Sequence, residues 1–430
     1  MDDPTLTIDA ATVRGRAILV AAIAVSLLLI WLGVRWQIGS MLAELTSPTD
    51  PDAQYIAETA VSLSPHDPLA AWLSAETHAD LLAPENVEPA IAGFASVVRL
   101  SPFDYRWWIE LGRIKEQSGK SDGAEQAFRH AIELAPSYAF PHWQFGNFLL
   151  RAGRADEAFG EFRLATGPSL AYRNQAFSLA WEYYDHDPAK LESTVADIPD
   201  VKVSLALFYA ARGQAADSLR IWNMLTPEQK AANPPTARII AQALTEKKFY
   251  RQGLEFSRQV GIDVNAQPEQ VTNGGFEDAL GSPGDNYYGW NVERTDGRIE
   301  ISTDPSVKHG GTRSLKVNFR TYARPDLANP WQIVAADRGA SYELHFWVRT
   351  ENLRSAGMPL IQVIDPDSRL IAASTAFPTG TNDWQKVSVG FKSPSNGDGF
   401  SIRLARASCG EPCPIVGLLW LDDFSLVKRS

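Results

Sequence analysis

From Ala17 to Val34 the chain reads AILVAAIAVSLLLIWLGV, 18 residues in which Ser26 is the single polar side chain. At about 1.5 Å per helical residue this run covers most of a hydrocarbon core of roughly 30 Å, and Trp31 and Trp36 suit its interfacial edge. A secretory signal is the competing reading. Signals carry a shorter apolar region, about 7–15 residues, closed by small residues at the cleavage point. Here the run is longer, and WQIGSMLAEL follows it, placing Ile38 or Met41 where a small residue belongs. Residues 17–36 are therefore expected to be an uncleaved transmembrane helix. Arg14 and Arg16 precede the run, Arg35 follows it, and the next basic residue is Arg99. The positive excess on the short flank puts residues 1–16 in the cytoplasm and the rest of the chain across the membrane.

The remainder has the makings of globular domains. Of 430 residues, 45% are hydrophobic and 21% charged, which excludes a wholly disordered, collagenous or polytopic chain. A net charge of −11 repels phosphate backbones, so nucleic acid is not an expected partner. Two cysteines are too few for a disulfide scaffold or a four-cysteine zinc site.

Internal repetition organises residues 52–263. In YRWWIELGRIKEQSGKSDGAEQAFRHAIELAP, Trp108, Leu111, Gly112, Ala124, Phe128, Ala131 and Pro136 stand at particular spacings, and five of these places, from Leu111 to Ala131, are matched 34 positions later by Phe145, Gly146, Ala158, Phe162 and Ala165. Small residues let two helices approach, the phenylalanines fill the groove against the next unit, and Pro136 stops the second helix. This stretch resembles tetratricopeptide repeats, although Lys115 replaces their usual aromatic. Weaker units flank it: Ala53, Ala60 and Pro65; Ala90, Phe94, Val97 and Pro102; Gly213, Ser218 and Trp222; and a last helical pair over 235–262. Five to six helical pairs are expected. The resemblance implies a concave surface that grips a protein partner, with Trp107, His142 and Trp143 as candidate groove residues; packing between neighbouring helices is the competing reading for each.

Composition changes after Gln267. Gly, Pro, Asn and Asp punctuate alternating runs, among them LKVNF, YELHFWV, KVSVGF and FSIRL, which argues for an antiparallel sandwich over 268–430. The module opens on Asn273-Gly274-Gly275-Phe276-Glu277 and closes on Trp420-Leu421-Asp422-Asp423-Phe424. With HGGTRSLKV, ASYELHFWV and DWQKVSVGF between them, it resembles jelly-roll carbohydrate-binding modules of the family 4/9 and xylan-binding type. That resemblance implies pairing of the first and last strands and a structural calcium near Glu277 and Asp422 or Asp423, the one cofactor to be expected; an ordinary acidic strand end is the alternative.

Sugars present apolar faces to aromatic platforms flanked by polar donors. In YELHFWV, Tyr342, Leu344, Phe346 and Val348 share one face and His345, Trp347 and Arg349 the other. Trp347, His345, Arg349 and Trp420 are thus candidate glycan contacts, with Tyr287, Tyr288 and Trp290 supplied by the first loop. Core or interdomain packing competes for each of these, and Trp384 reads as core. Cys409 and Cys413, in SCGEPCP, are spaced to close a small disulfide loop, with a redox pair or half a zinc site as alternatives.

No phosphate loop, dinucleotide fingerprint, HExxH or GxSxG stands out, and His309-Gly310-Gly311 reads as a turn before a strand. No catalytic residue is assigned. The expectation is a single-pass inner-membrane scaffold, bulk periplasmic, whose repeats hold protein and whose sandwich touches glycan, in surface polysaccharide assembly or export. A protein-only envelope adaptor is the alternative, and a glycan-processing enzyme the weaker one.

Overall fold

The computed structural model describes residues 10–79, 84–293 and 297–429, so residues 1–9 of the expected cytoplasmic tail lie outside the described residues. The chain divides into two compact units, 1–196 and 197–430, and the division falls inside the helical stretch.

The first unit opens on α1 (Val13–Leu45), a single 33-residue helix that begins where the Thr12 hydroxyl accepts the Gly15 N–H at 3.0 Å. It is long and apolar enough to cross a membrane, and its most apolar stretch is exposed throughout. Its last turns behave differently. Gly39 and Ala43 are buried, and Ala43 joins Ala57, Ala60, Ala70 and Leu73 in a core cluster shared with α2 (Ala53–Leu63) and α3 (Pro68–Thr77). Arg35 donates to the carbonyl of Ser62.

Then come α4 (Pro84–Leu100), α5 (Tyr105–Gln117), α6 (Ser121–Leu134), α7 (Ala139–Arg151), α8 (Ala155–Thr166), α9 (Leu170–Tyr183) and α10 (Pro188–Ser193). The hairpins α5–α6 and α7–α8 stand 34 residues apart, as the repeat requires. A Cβ on Gly112 would lie 3.0 Å from the Phe128 ring, and one on Gly146 would lie 2.6 Å from Phe162, so the small residues do permit the helical approach. Ala124, Phe128, Ala131, Ala158, Phe162 and Ala165 are all buried. Lys115 lays its aliphatic stem beside Gly123, where the repeat family places an aromatic.

The second unit continues with α11 (Pro199–Ala211), α12 (Ala215–Asn223), the short α13 (Pro227–Ala231), α14 (Pro234–Glu246) and α15 (Tyr250–Gln259). Among the described residues nine strands follow: β1 (Ile299–Asp304), β2 (Ser314–Tyr322), β3 (Trp331–Ala335), β4 (Ser341–Ser355), β5 (Pro359–Ile364), β6 (Leu370–Ala373), β7 (Gly380–Lys392), β8 (Gly399–Arg406) and β9 (Ile415–Arg429). They form a five-stranded sheet, β1-β2-β9-β4-β7, and a four-stranded sheet, β3-β8-β5-β6, with antiparallel neighbours throughout. Leu344, Phe346 and Val348 from the first sheet meet Phe400, Ile402 and Leu404 from the second in one dry core. The opening Asn273–Glu277 motif is turn rather than strand; it reaches the last strand through one backbone bond, Phe424 N–H to Gly274 O at 2.9 Å.

The helices of this unit and its sandwich are bonded together. Asp263, buried after α15, accepts the backbone N–H groups of Tyr287 and Tyr288 at 3.1 Å each. Tyr288 Oη donates to Tyr250 O at 2.7 Å, Asp398 accepts the Tyr250 N–H at 2.9 Å, and Arg251 pairs with Asp337 at 2.6 Å.

Candidate functional site

Alternation along β4 builds the site. With Tyr342, Leu344, Phe346 and Val348 committed to the core, Glu343, His345, Trp347 and Arg349 stand half-buried on the outer face of the five-stranded sheet. On β7 the same face carries Trp384, Lys386 and Ser388, with Lys386 directly opposite Trp347. His345 Nδ1 lies 2.8 Å from Ser388 Oγ, and Arg349 faces Asp383 at 3.7 Å.

The turn before β2 adds a third ring. His309 stacks on Trp347 with centroids 3.8 Å apart and planes at 18°, while the Trp384 ring meets it edge-on at 5.7 Å. Its Nδ1 sits 2.6 Å from Asp423 Oδ2. Three aromatic rings from the β2-side turn, β4 and β7 thus converge beside Lys386 and Arg349. Sequence reasoning missed two of them. Trp384 was legible, because Val387, Val389 and Phe391 point inward and leave position 384 on the opposite face. His309 carries no periodic signal, since it lies in a turn.

The three carboxylates tie this turn to the ends of the module. Asp422, fully buried, accepts N–H bonds from His309 at 2.8 Å, Gly310 at 3.2 Å and Asp423 at 2.8 Å. Burial nevertheless pushes its carboxyl above the usual carboxylate range. Glu277 accepts the Thr312 N–H at 2.8 Å and the Thr312 hydroxyl, whose bonding holds its pKa low. Glycine is needed here: Gly311 has φ +55, and a Cβ on it would lie 1.8 Å from Glu277 Oε1. Calcium takes six to eight oxygen ligands. Glu277 and Asp422 point their oxygens at N–H and O–H donors, and among the described residues no three acidic, histidine or cysteine side chains gather on one point. These hydrogen bonds tie the turn to both ends of the module.

Several expected contacts are placed elsewhere. Trp420 shares the outer face but is 2% exposed: its indole N–H donates to Asp304 Oδ2 at 3.0 Å, and Lys316 and Arg349 lie 5.7 and 5.9 Å from its ring. Tyr287 and Tyr288 are buried against the last helices, where Tyr287 Oη donates to Arg238 O at 3.0 Å. Trp290 is core, packed on Phe276 and Phe424. In the first unit His142 is buried, with Nδ1 2.6 Å from Glu161 and Nε2 2.9 Å from Pro136 O, which removes it from any open groove. Trp143 is half-buried and stacks on Tyr172 at 5.0 Å; Trp107 is half-buried against Trp72 at 6.3 Å, its indole N–H without a partner among the described residues. Cys409 and Cys413 are joined as a disulfide.

Residues 268–407 match the family model CBM_4_9, described as a carbohydrate binding domain. No curated protein matches the chain. Among solved structures, one described as "CBM4 structure and function" is 14% identical, covers 37% of this chain and 99% of its own, and has a TM-score of 0.28. The CBM22-1 xylan-binding domain from Paenibacillus barcinonensis is 14% identical over 36% of this chain and 90% of its own, with a TM-score of 0.25. A crystal structure of MamA is 19% identical over 31% of this chain and 75% of its own, with a TM-score of 0.26.

Proposed function

We propose that this protein is a membrane-anchored scaffold that binds glycan on the outer face of its sandwich and protein along its helical repeats. The observation that carries the glycan reading is the His309–Trp347–Trp384 ring cluster beside Lys386 and Arg349, on a module of the carbohydrate-binding type. Ring faces stack on the apolar faces of sugars while flanking cations and Ser388 hydrogen-bond their hydroxyls. The test is retention of the detergent-solubilised full chain on a panel of bacterial and plant polysaccharides. Wild type is retained by at least one of them, and Trp384→Ala and Trp347→Ala lose retention with unchanged thermal transitions. Retention that survives both substitutions contradicts the site.

A non-cleaved anchor is supported by the packing of Gly39 against Ala60 and Ser64 and of Ala43 in the first helical cluster, which continue α1 directly into the following helices. We place the repeats and sandwich in the periplasm on the charge asymmetry around α1. Surface polysaccharide assembly combines a glycan contact with a protein-binding array at a membrane; unaltered polysaccharide amount and chain length in a deletion strain would contradict it. A protein-only adaptor is the second reading, favoured by the consumption of Tyr287 and Tyr288 in docking.

A further inference from the structure

The loop between β8 and β9 holds the Cys409–Cys413 disulfide, and its two sulfurs have unlike surroundings. Cys409 is half-buried, whereas Cys413 is 1% exposed. Arg406, the last residue of β8, is itself buried beside Cys413. Its Nε donates to Gly357 O at 3.1 Å; Nη1 donates to Arg324 O at 2.6 Å and Cys413 O at 2.7 Å; Nη2 donates to Ser355 Oγ at 2.6 Å and Cys413 Sγ at 3.0 Å. All of these partners are neutral. A guanidinium is therefore buried without a carboxylate among its partners, an unfavourable arrangement unless an anion joins it. Glu411, the carboxylate of this loop, is exposed and not among the partners of Arg406, whereas Cys413 Sγ is; the anion the loop can place against the guanidinium is a thiolate on Cys413.

We propose that Cys409–Cys413 is an exchangeable disulfide, opened by a dithiol reductant so that Cys413 leaves as a thiolate paired with Arg406. A reductant thiolate attacks Sγ of Cys409, the more exposed residue of the pair. The new S–S bond forms there, the Cys409–Cys413 bond breaks, and its electron pair leaves on Cys413 Sγ, facing Nη2–H. The second thiolate of the reductant then attacks the mixed disulfide, releasing the cyclic oxidised reductant and Cys409, which takes a proton from solvent. Two electrons pass from the dithiol to the protein. A neighbouring cation lowers a thiol pKa and favours it as leaving group, which makes such a disulfide more oxidising than an ordinary structural one. Cys413 N–H still donates to Ala323 O at 2.8 Å, so the opened loop stays moored on the Cys413 side.

The test equilibrates the solubilised full chain in graded ratios of reduced to oxidised dithiothreitol, with free thiols trapped and counted by mass. Wild type is half-reduced at a ratio roughly tenfold lower than Arg406→Gln requires, and Arg406→Lys, which keeps the charge, stays near wild type. Equal ratios for wild type and Arg406→Gln overturn the proposal. If Arg406→Gln does not fold, thiolate ultraviolet absorbance of the reduced wild type decides. A step below about pH 7 that Cys413→Ser abolishes supports the pair, and ionisation only above about pH 8 overturns it.

Discussion

Both ring nitrogens of His142 face acceptors, Glu161 on one side and the Pro136 carbonyl on the other. Only the imidazolium can donate to both. Burial opposes that charge, but the bonds to Glu161 and Pro136 outweigh it and raise the His142 pKa. A raised folded-state pKa gives stability that is fully present below the free value of about 6.5 and is lost as pH rises through the folded value. His142→Gln should therefore destabilise the helical region more at about pH 5.5 than at about pH 8.5, as thermal melts would register; a pH-independent difference contradicts the pair. At the carboxylate turn, excess chelator should leave the thermal transition of the full chain unmoved, and a fall of several degrees restored by calcium would show that the hydrogen-bonded tie is not the whole clip. Single residues were legible only as far as alternation reaches. It separated Trp347 from Phe346, yet it could not tell an open face from one covered by its own neighbours. Trp420 is hidden because Asp304, Lys316 and Arg349 close over it, and those partners come from three different strands.

Among the elements, α1 does two jobs. Its apolar stretch is uncovered, while its last turns are packed so closely that a Cβ on Gly39 would lie 2.5 Å from Ser64 Oγ and 2.8 Å from Ala60 O. Gly39→Leu should cost about 1–3 kcal/mol in the first helical cluster, measured by denaturant unfolding in detergent. Intact-mass measurement on protein purified from membranes should retain the apolar run; a mature start at or beyond Gly39 would sink the anchor reading. The strands were legible where one face stays wet: β2, β4 and β8 alternate, and their sequences show it. β5 was not, because five of its six residues are buried, leaving no alternation to read. The opening Asn-Gly-Gly-Phe-Glu motif was recognised for its residues but folds as turn, with Asn273 and Phe276 both at positive φ.

For the whole molecule, composition marks where helices give way to strands, at Gln267, but packing divides the chain about seventy residues earlier, between 196 and 197. The reason is Asp263 and its neighbours, which bind the last helices into the sandwich. Asp263→Ala strands two buried N–H groups and should destabilise the second unit by about 2–4 kcal/mol; an unchanged unfolding midpoint would mean that the bonds do not matter. Such long-range pairing between a helical tail and a first loop has no periodicity, so nothing in the sequence announces it. At this scale the reading proposed above is that the sandwich recognises glycan through its outer face. Its most direct test is tryptophan fluorescence of the full chain, titrated with whichever polysaccharide retains it. The account predicts a saturable change that is lost in Trp384→Ala and kept in a Trp143→Phe control; no saturable change, or one that Trp384→Ala leaves intact, would contradict it.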